Sequence, residues 1–206
     1  MAELLAVVGR TPSPGAQQRL RAVLDALPAS AVLTYAGVML ARETSATRLC
    51  VMGLSRTELQ AWLRSVRWPG DEARLRTLMA SLADPASGGQ AQPAIVHVDV
   101  GESIDGAVGL EYPLARHPQL AGEVAESAML DNLVARRLVS AAVAAALRDW
   151  AGYEERTLAH ELWPSVIVRR VNHLKLVLSA TGALHLKLYL CAELVPRADM
   201  RSASMG

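Results

Sequence analysis

A chain of 206 residues, half of them hydrophobic (51%) and a fifth charged (20%), has the composition of a soluble globular protein and enough length to bury a core. Lys and Arg number 21 against 20 Asp and Glu, so no global field draws nucleic acid or an anionic membrane, and any anion site must be local. Cys50 and Cys191 stand apart with no CxxC or zinc-ligand spacing, the N-terminal apolar run MAELLAVV is too short for a signal peptide, and the longest uncharged helical run, Leu138–Leu147, is too short for a membrane span. We expect a soluble, cytoplasmic, single-domain protein over 1–206, with an irregular lead at 1–15 and a disordered tail at 196–206.

In chain order, Ala16–Leu27 places Leu20, Val23, Leu24 and Leu27 at helical spacing and ends at Pro28. Ala31–Arg42 and Thr47–Leu54 are apolar runs joined by a polar turn, the first hairpin. Ser55 and Glu58 have capping-box spacing ahead of Leu59, Trp62, Leu63 and Val66, and Asp71 caps a further helix bearing Leu75, Leu78, Met79 and Leu82. A second hairpin joins Ala94–Val100 to Ala107–Leu114 across GESIDG. Helices are expected at Gly122–Arg136 and Leu138–Trp150, then an irregular passage. The last hairpin joins Ser165–Ala180 to Ala183–Val195 through Ala180-Thr181-Gly182, a three-residue loop with glycine at its left-handed position. Three hairpins separated by helix pairs predict an α+β fold, an antiparallel sheet of six strands with helices on one face.

Alternation within the strands divides that sheet into a greasy row and a polar row. In the last hairpin Leu174, Leu176, Leu178, Leu184, Leu186, Leu188, Leu190 and Leu194 share one parity, and Arg169, His173, Lys175, His185, Lys187, Tyr189, Cys191 and Glu193 the other. The register that closes the three-residue loop sets Arg169 opposite Glu193 and Lys175 opposite Lys187. The lysine pair is unfavourable unless an anion lies between. In the second hairpin Val96, Val98, Val100, Val108, Leu110 and Tyr112 are the greasy row, leaving Ile95, His97, Asp99, Gly109 and Glu111 on the polar face. In the first, Thr34, Arg42, Arg48, Cys50 and Met52 oppose Leu33, Tyr35, Met39, Leu49 and Val51, with Arg42 and Arg48 facing each other beside the turn.

Repeated helix and hairpin units, a polar sheet face and the Lys187-Leu188-Tyr189 motif resemble the ABBA prenyltransferases, whose strands close into a barrel ringed by helices. The resemblance implies that Lys187, Lys175 and Arg42 or Arg48 hold the diphosphate of an isoprenoid donor, and that Tyr189 shields the allylic cation. That family uses more units than the three found here, so the expectation is a partial barrel, or one completed in a homodimer. On the residues themselves, paired lysines suit a diphosphate leaving group without a metal or other cofactor, with His173, His185 and Arg169 in the same row. Glu111, Asp99 and His97 are the candidate proton acceptors, although Glu111 and Asp99 also read as neutralisers of the basic rows. The acceptor would be an aromatic compound or a peptide.

Three other chemistries compete. His97, Asp99, His173 and His185 suit a divalent metal if they converge, and Cys191 with His173 or His185 suits a thiol nucleophile. An open face with free edges suits a non-catalytic module that takes up a peptide, a protein or a second copy of itself, as an accessory in peptide or natural-product maturation would.

Overall fold

The computed structural model describes residues 12–38, 46–82, 92–113, 129–157 and 165–196. The fold is α+β. Helices α1 (Pro14–Asp25), α2 (Arg56–Ser65), α3 (Glu72–Ser81) and α4 (Ala141–Trp150) accompany strands β1 (Val32–Val38), β2 (Thr47–Met52), β3 (Ile95–Val100), β4 (Ile104–Pro113), β5 (Gly152–Arg156), β6 (Ser165–Leu178) and β7 (Leu184–Pro196). Residues 129–135 are also helical. The strands make one open antiparallel sheet in the order β1-β2-β3-β4-β6-β5, with β7 paired to β6. The chain separates into two compact units, one of residues 1–81, 92–112 and 176–185, the other of 82–91, 113–175 and 186–206.

In the first unit the helix boundaries follow their caps. The Ser13 side chain accepts the Ala16 N–H, and Pro14 occupies the first turn, where its missing N–H costs nothing, so α1 starts ahead of its apolar periodicity. Ser55 and Glu58 form the expected capping box on α2, and Asp71 Oδ1 accepts the Arg74 N–H at the start of α3. Leu20 and Val23 of α1, Leu59, Trp62 and Leu63 of α2, and Leu75 and Met79 of α3 are buried with the greasy rows Leu49, Val51, Val96, Val98, Val100, Val108, Leu110 and Tyr112. Trp62 Nε1 ties α2 to α1 by donating to the Val23 carbonyl, 3.2 Å away.

The first hairpin departs from its expected register. A shift between Leu33 and Tyr35 pairs Leu33 with Val51 but Tyr35 with Cys50. One irregular residue turns Tyr35 onto the polar side, because strand alternation is strict on either side of a bulge. Arg48 faces Gly37 on β1 and Asp99 on β3, so its cross-strand partner is a carboxylate. Arg42 lies outside the described residues. The second hairpin has the expected rows, and β4 begins at Ile104, so only Gly101–Ser103 of GESIDG form the turn.

In the second unit α4 starts at Ala141, because Ser140 caps it through the Val143 N–H and Arg137, at φ 58, has already broken the preceding helix. The passage read as irregular contains a seventh strand, β5, paired with the start of β6 from Gly152↔Arg169 to Arg156↔Ser165. The start of the expected helix at 122 and the tail from 197 lie outside the described residues.

The loop between β6 and β7 closes as its sequence requires. Ser179 N–H donates to the Ala183 carbonyl at 2.8 Å, and Gly182 sits at φ +80°, where a side chain would be strained. Farther along, Arg170 and not Arg169 pairs with Glu193, Nη2 to Oε2 at 3.0 Å. Alternation is interrupted here: even-numbered Val166, Val168, Leu174, Leu176 and Leu178 are buried, and so is odd-numbered Val171, while Asn172 is exposed. The greasy row of β7 is also less covered than its pattern implies, with Leu190 51% and Leu194 46% exposed.

Candidate functional site

The polar row of the first unit gathers around His97. Its Nε2 lies 2.7 Å from Glu111 Oε1 and its Nδ1 3.2 Å from Cys50 Sγ. Which ring nitrogen carries the proton decides the donor in each contact. Three strands supply the three groups: the register puts Cys50 directly opposite His97, and Glu111 opposite Ile95, two residues from His97 on the same face. Cys50, His97 and Glu111 are only 0%, 5% and 8% exposed, so this is a buried polar cluster on the side away from the helix-packed row. The Tyr35 ring meets the imidazole edge-on, with centroids 6.4 Å apart.

Asp99, the third proposed proton acceptor, is bound by both arms of Arg48. Nε and Nη2 donate to its two carboxylate oxygens at 2.7 and 2.6 Å. A bidentate pair of this kind fixes both side chains and occupies both carboxylate oxygens. Arg48, expected to hold phosphate, is therefore already matched to a carboxylate.

In the second unit His173 stacks on Tyr189 with ring centroids 4.2 Å apart and planes 19° from parallel, and Asn172 Nδ2 lies 3.1 Å from His173 Nδ1. Direct cross-strand opposition of His173 and Tyr189 belongs to the same register as Lys175 opposite Lys187, two residues nearer the loop. Lys175 is 5% exposed, whereas Lys187 is exposed. His185 is exposed near the loop, and Arg169 lies across from Gly152 of β5. Among the described residues no group of three or more His, Cys, Asp or Glu is arranged to hold a metal ion.

Two members of the His97 cluster escaped the sequence reading. Cys50 was assigned only to the polar row of its hairpin, yet Arg48-x-Cys50 run antiparallel against His97-x-Asp99 pairs Arg with Asp and Cys with His, a match legible once β2 and β3 are taken as neighbours. Tyr35 carried no such signal, since its bulge has no sequence mark. On the opposite face, the Tyr112 hydroxyl is buried without a hydrogen-bond partner, and burial pushes the phenol well above its ordinary range, slightly opposed by the charge of Arg56.

Compared with protein-family models, with curated proteins and with solved structures, the chain shows no match.

Proposed function

We propose that the polar face of β6 and β7 binds an anionic ligand of the phosphate or diphosphate class between Lys175 and Lys187. The observation that supports this reading is the His173–Tyr189 stack, which fits the register expected from the loop, with Lys175 across from Lys187. Two like charges in direct cross-strand opposition cost free energy, and an anion between them reverses the sign. Burial of Lys175 adds to the argument, because an ammonium group stripped of water draws a fixed negative charge more strongly than a solvated one.

Transfer of a prenyl group to an aromatic or peptide acceptor is the reaction this reading points to. The carbon–oxygen bond to diphosphate breaks, and pre-organised ammonium groups stabilise the charge that develops on the leaving oxygen. Such a transfer also needs a proton acceptor beside the bound ligand. A thermal-shift titration tests the reading, since a ligand specific to the folded state raises the melting temperature. Inorganic pyrophosphate should raise it in the wild type and not in Lys187→Ala, and an isoprenyl diphosphate should raise it further. A flat response to both ligands would remove the reading.

A second reading is favoured by Leu190 and Leu194, which leave the greasy row of β7 half uncovered. On that reading the protein is a non-catalytic module that docks a peptide or protein on its sheet.

A further inference from the structure

The strands at the margins of the sheet are not equally protected. β1 carries the bulge at Leu33/Tyr35, a distortion that discourages pairing with another chain. β5 is five residues long and three of them, Glu154, Glu155 and Arg156, are charged. By contrast β7 runs for 13 residues with its only proline at the last position, and among the described residues it pairs with β6 alone. Its central stretch exposes Tyr189, Leu190 and Leu194. Its only charged residues are Lys187 and Glu193.

That lysine has a complement on the same strand. An antiparallel pairing of β7 with β7 of a second copy, with the two-fold axis through Leu190, places Leu190 against Leu190 and Leu186 against Leu194, and puts Lys187 opposite Glu193 on both sides of the axis. Moving the axis by one residue in either direction loses both Lys–Glu pairs. The backbone phase agrees. Ser179 N–H bonds to the Ala183 carbonyl, so the odd-numbered residues that follow on β7 turn their amides toward β6 and the even-numbered ones turn theirs outward. Leu190 then exchanges hydrogen bonds with its symmetry mate, while Lys187 and Glu193 fall at a non-bonded pair, where opposed side chains approach most closely. Among the described residues Lys187 makes no ion pair, and Glu193, bound on one side by Arg170, is half exposed.

We infer that the outer edge of β7 is the interface of a two-fold homodimer, formed by antiparallel strand pairing centred on Leu190 and fixed in register by Lys187 and Glu193. Greasy row meets greasy row and polar row meets polar row, so the sheet continues from one copy into the other. The ammonium group of Lys187 has three donors, which lets it face a bound anion and the partner carboxylate together.

Sedimentation equilibrium of the full-length chain in phosphate-free buffer tests this independently of anion binding. The wild type should show a dimer in equilibrium with monomer. Leu190→Lys, which sets two ammonium groups on the axis, should be monomeric while keeping the wild-type circular-dichroism spectrum, because Leu190 is a surface residue. Glu193→Lys should weaken the dimer at least tenfold, and the exchange Lys187→Glu with Glu193→Lys should restore it, an outcome no purely structural role of either residue gives. Disulfide trapping reads the register: with Cys191→Ser, Leu190→Cys should crosslink on oxidation, whereas the native Cys191, facing Tyr189 of the other copy, should not. A monomeric wild type, or a dimer indifferent to Leu190→Lys, would overturn the inference.

Discussion

Tyr112 shows how a single buried atom sets a measurable property. Its ring fills the core with almost no exposure, and its hydroxyl has no partner there. Removing that hydroxyl in Tyr112→Phe relieves an unsatisfied polar group at nearly constant volume and should stabilise the fold by about 1 kcal/mol, read as a higher midpoint in urea. Because burial raises the folded-state pKa above the ordinary value of 10.0, the folded chain keeps its phenolic proton where the unfolded chain has lost it. The associated stability is present below pH 10 and declines as the pH rises past that value. Tyr112→Phe should flatten this alkaline decline, and an unchanged alkaline slope would contradict the assignment. The same scale marks the limit of sequence reading. The polar parity of His97, Asp99 and Glu111 was legible in the alternation of two strands, but the partner of each was not, because pairing depends on which strand lies alongside. Once Arg48 is opposite Asp99, the carboxylate left for His97 is Glu111.

At the scale of elements, local chemistry was decisive wherever a cap or a loop residue fixes the backbone. The α2 capping box is formed in full, and the hydroxyl of Ser55, with smaller help from Ser30 and the Ser55 amide, holds the Glu58 carboxyl below its usual range. A lowered folded-state pKa gives stability that is present above the unfolded value and lost as the pH falls through the folded one. Ser55→Ala should cost about 1 kcal/mol of folding stability in urea at neutral pH and shift the acid-unfolding transition to higher pH. A neutral substitution would mean the cap is dispensable. Elements governed by neighbours were less legible. β5 reads Gly-Tyr-Glu-Glu-Arg, without the apolar alternation that announces a strand, and it is a strand because β6 offers it an edge. The interruption of alternation at Val171 in β6 is likewise unmarked in sequence, and beside it Arg170, not its neighbour, meets Glu193.

For the whole molecule, the alternation of hairpins and helices was enough to give an antiparallel α+β sheet, since each greasy row must be buried, but not to say that the sheet stays open. Hairpin count and strand count differ by β5 alone. The site was legible only in part. The lysine pair followed from loop closure and parity, both local to one hairpin, whereas the Cys50–His97–Glu111 chain required three strands in one register. The account also separates the roles of these two sets. The His97 cluster is buried, so Glu111→Gln should lower stability with little effect on anion affinity, measured by urea unfolding alongside ligand titration. Lys187 is exposed and faces a like charge, so Lys187→Ala should leave stability unchanged or slightly raised.

The most direct test is isothermal titration of inorganic pyrophosphate into the wild type and Lys187→Ala at low and at physiological ionic strength. The account predicts saturable binding at one site per chain, weakened by salt and by loss of the Lys187 ammonium group. Absence of binding, or binding of equal affinity in Lys187→Ala, would contradict it.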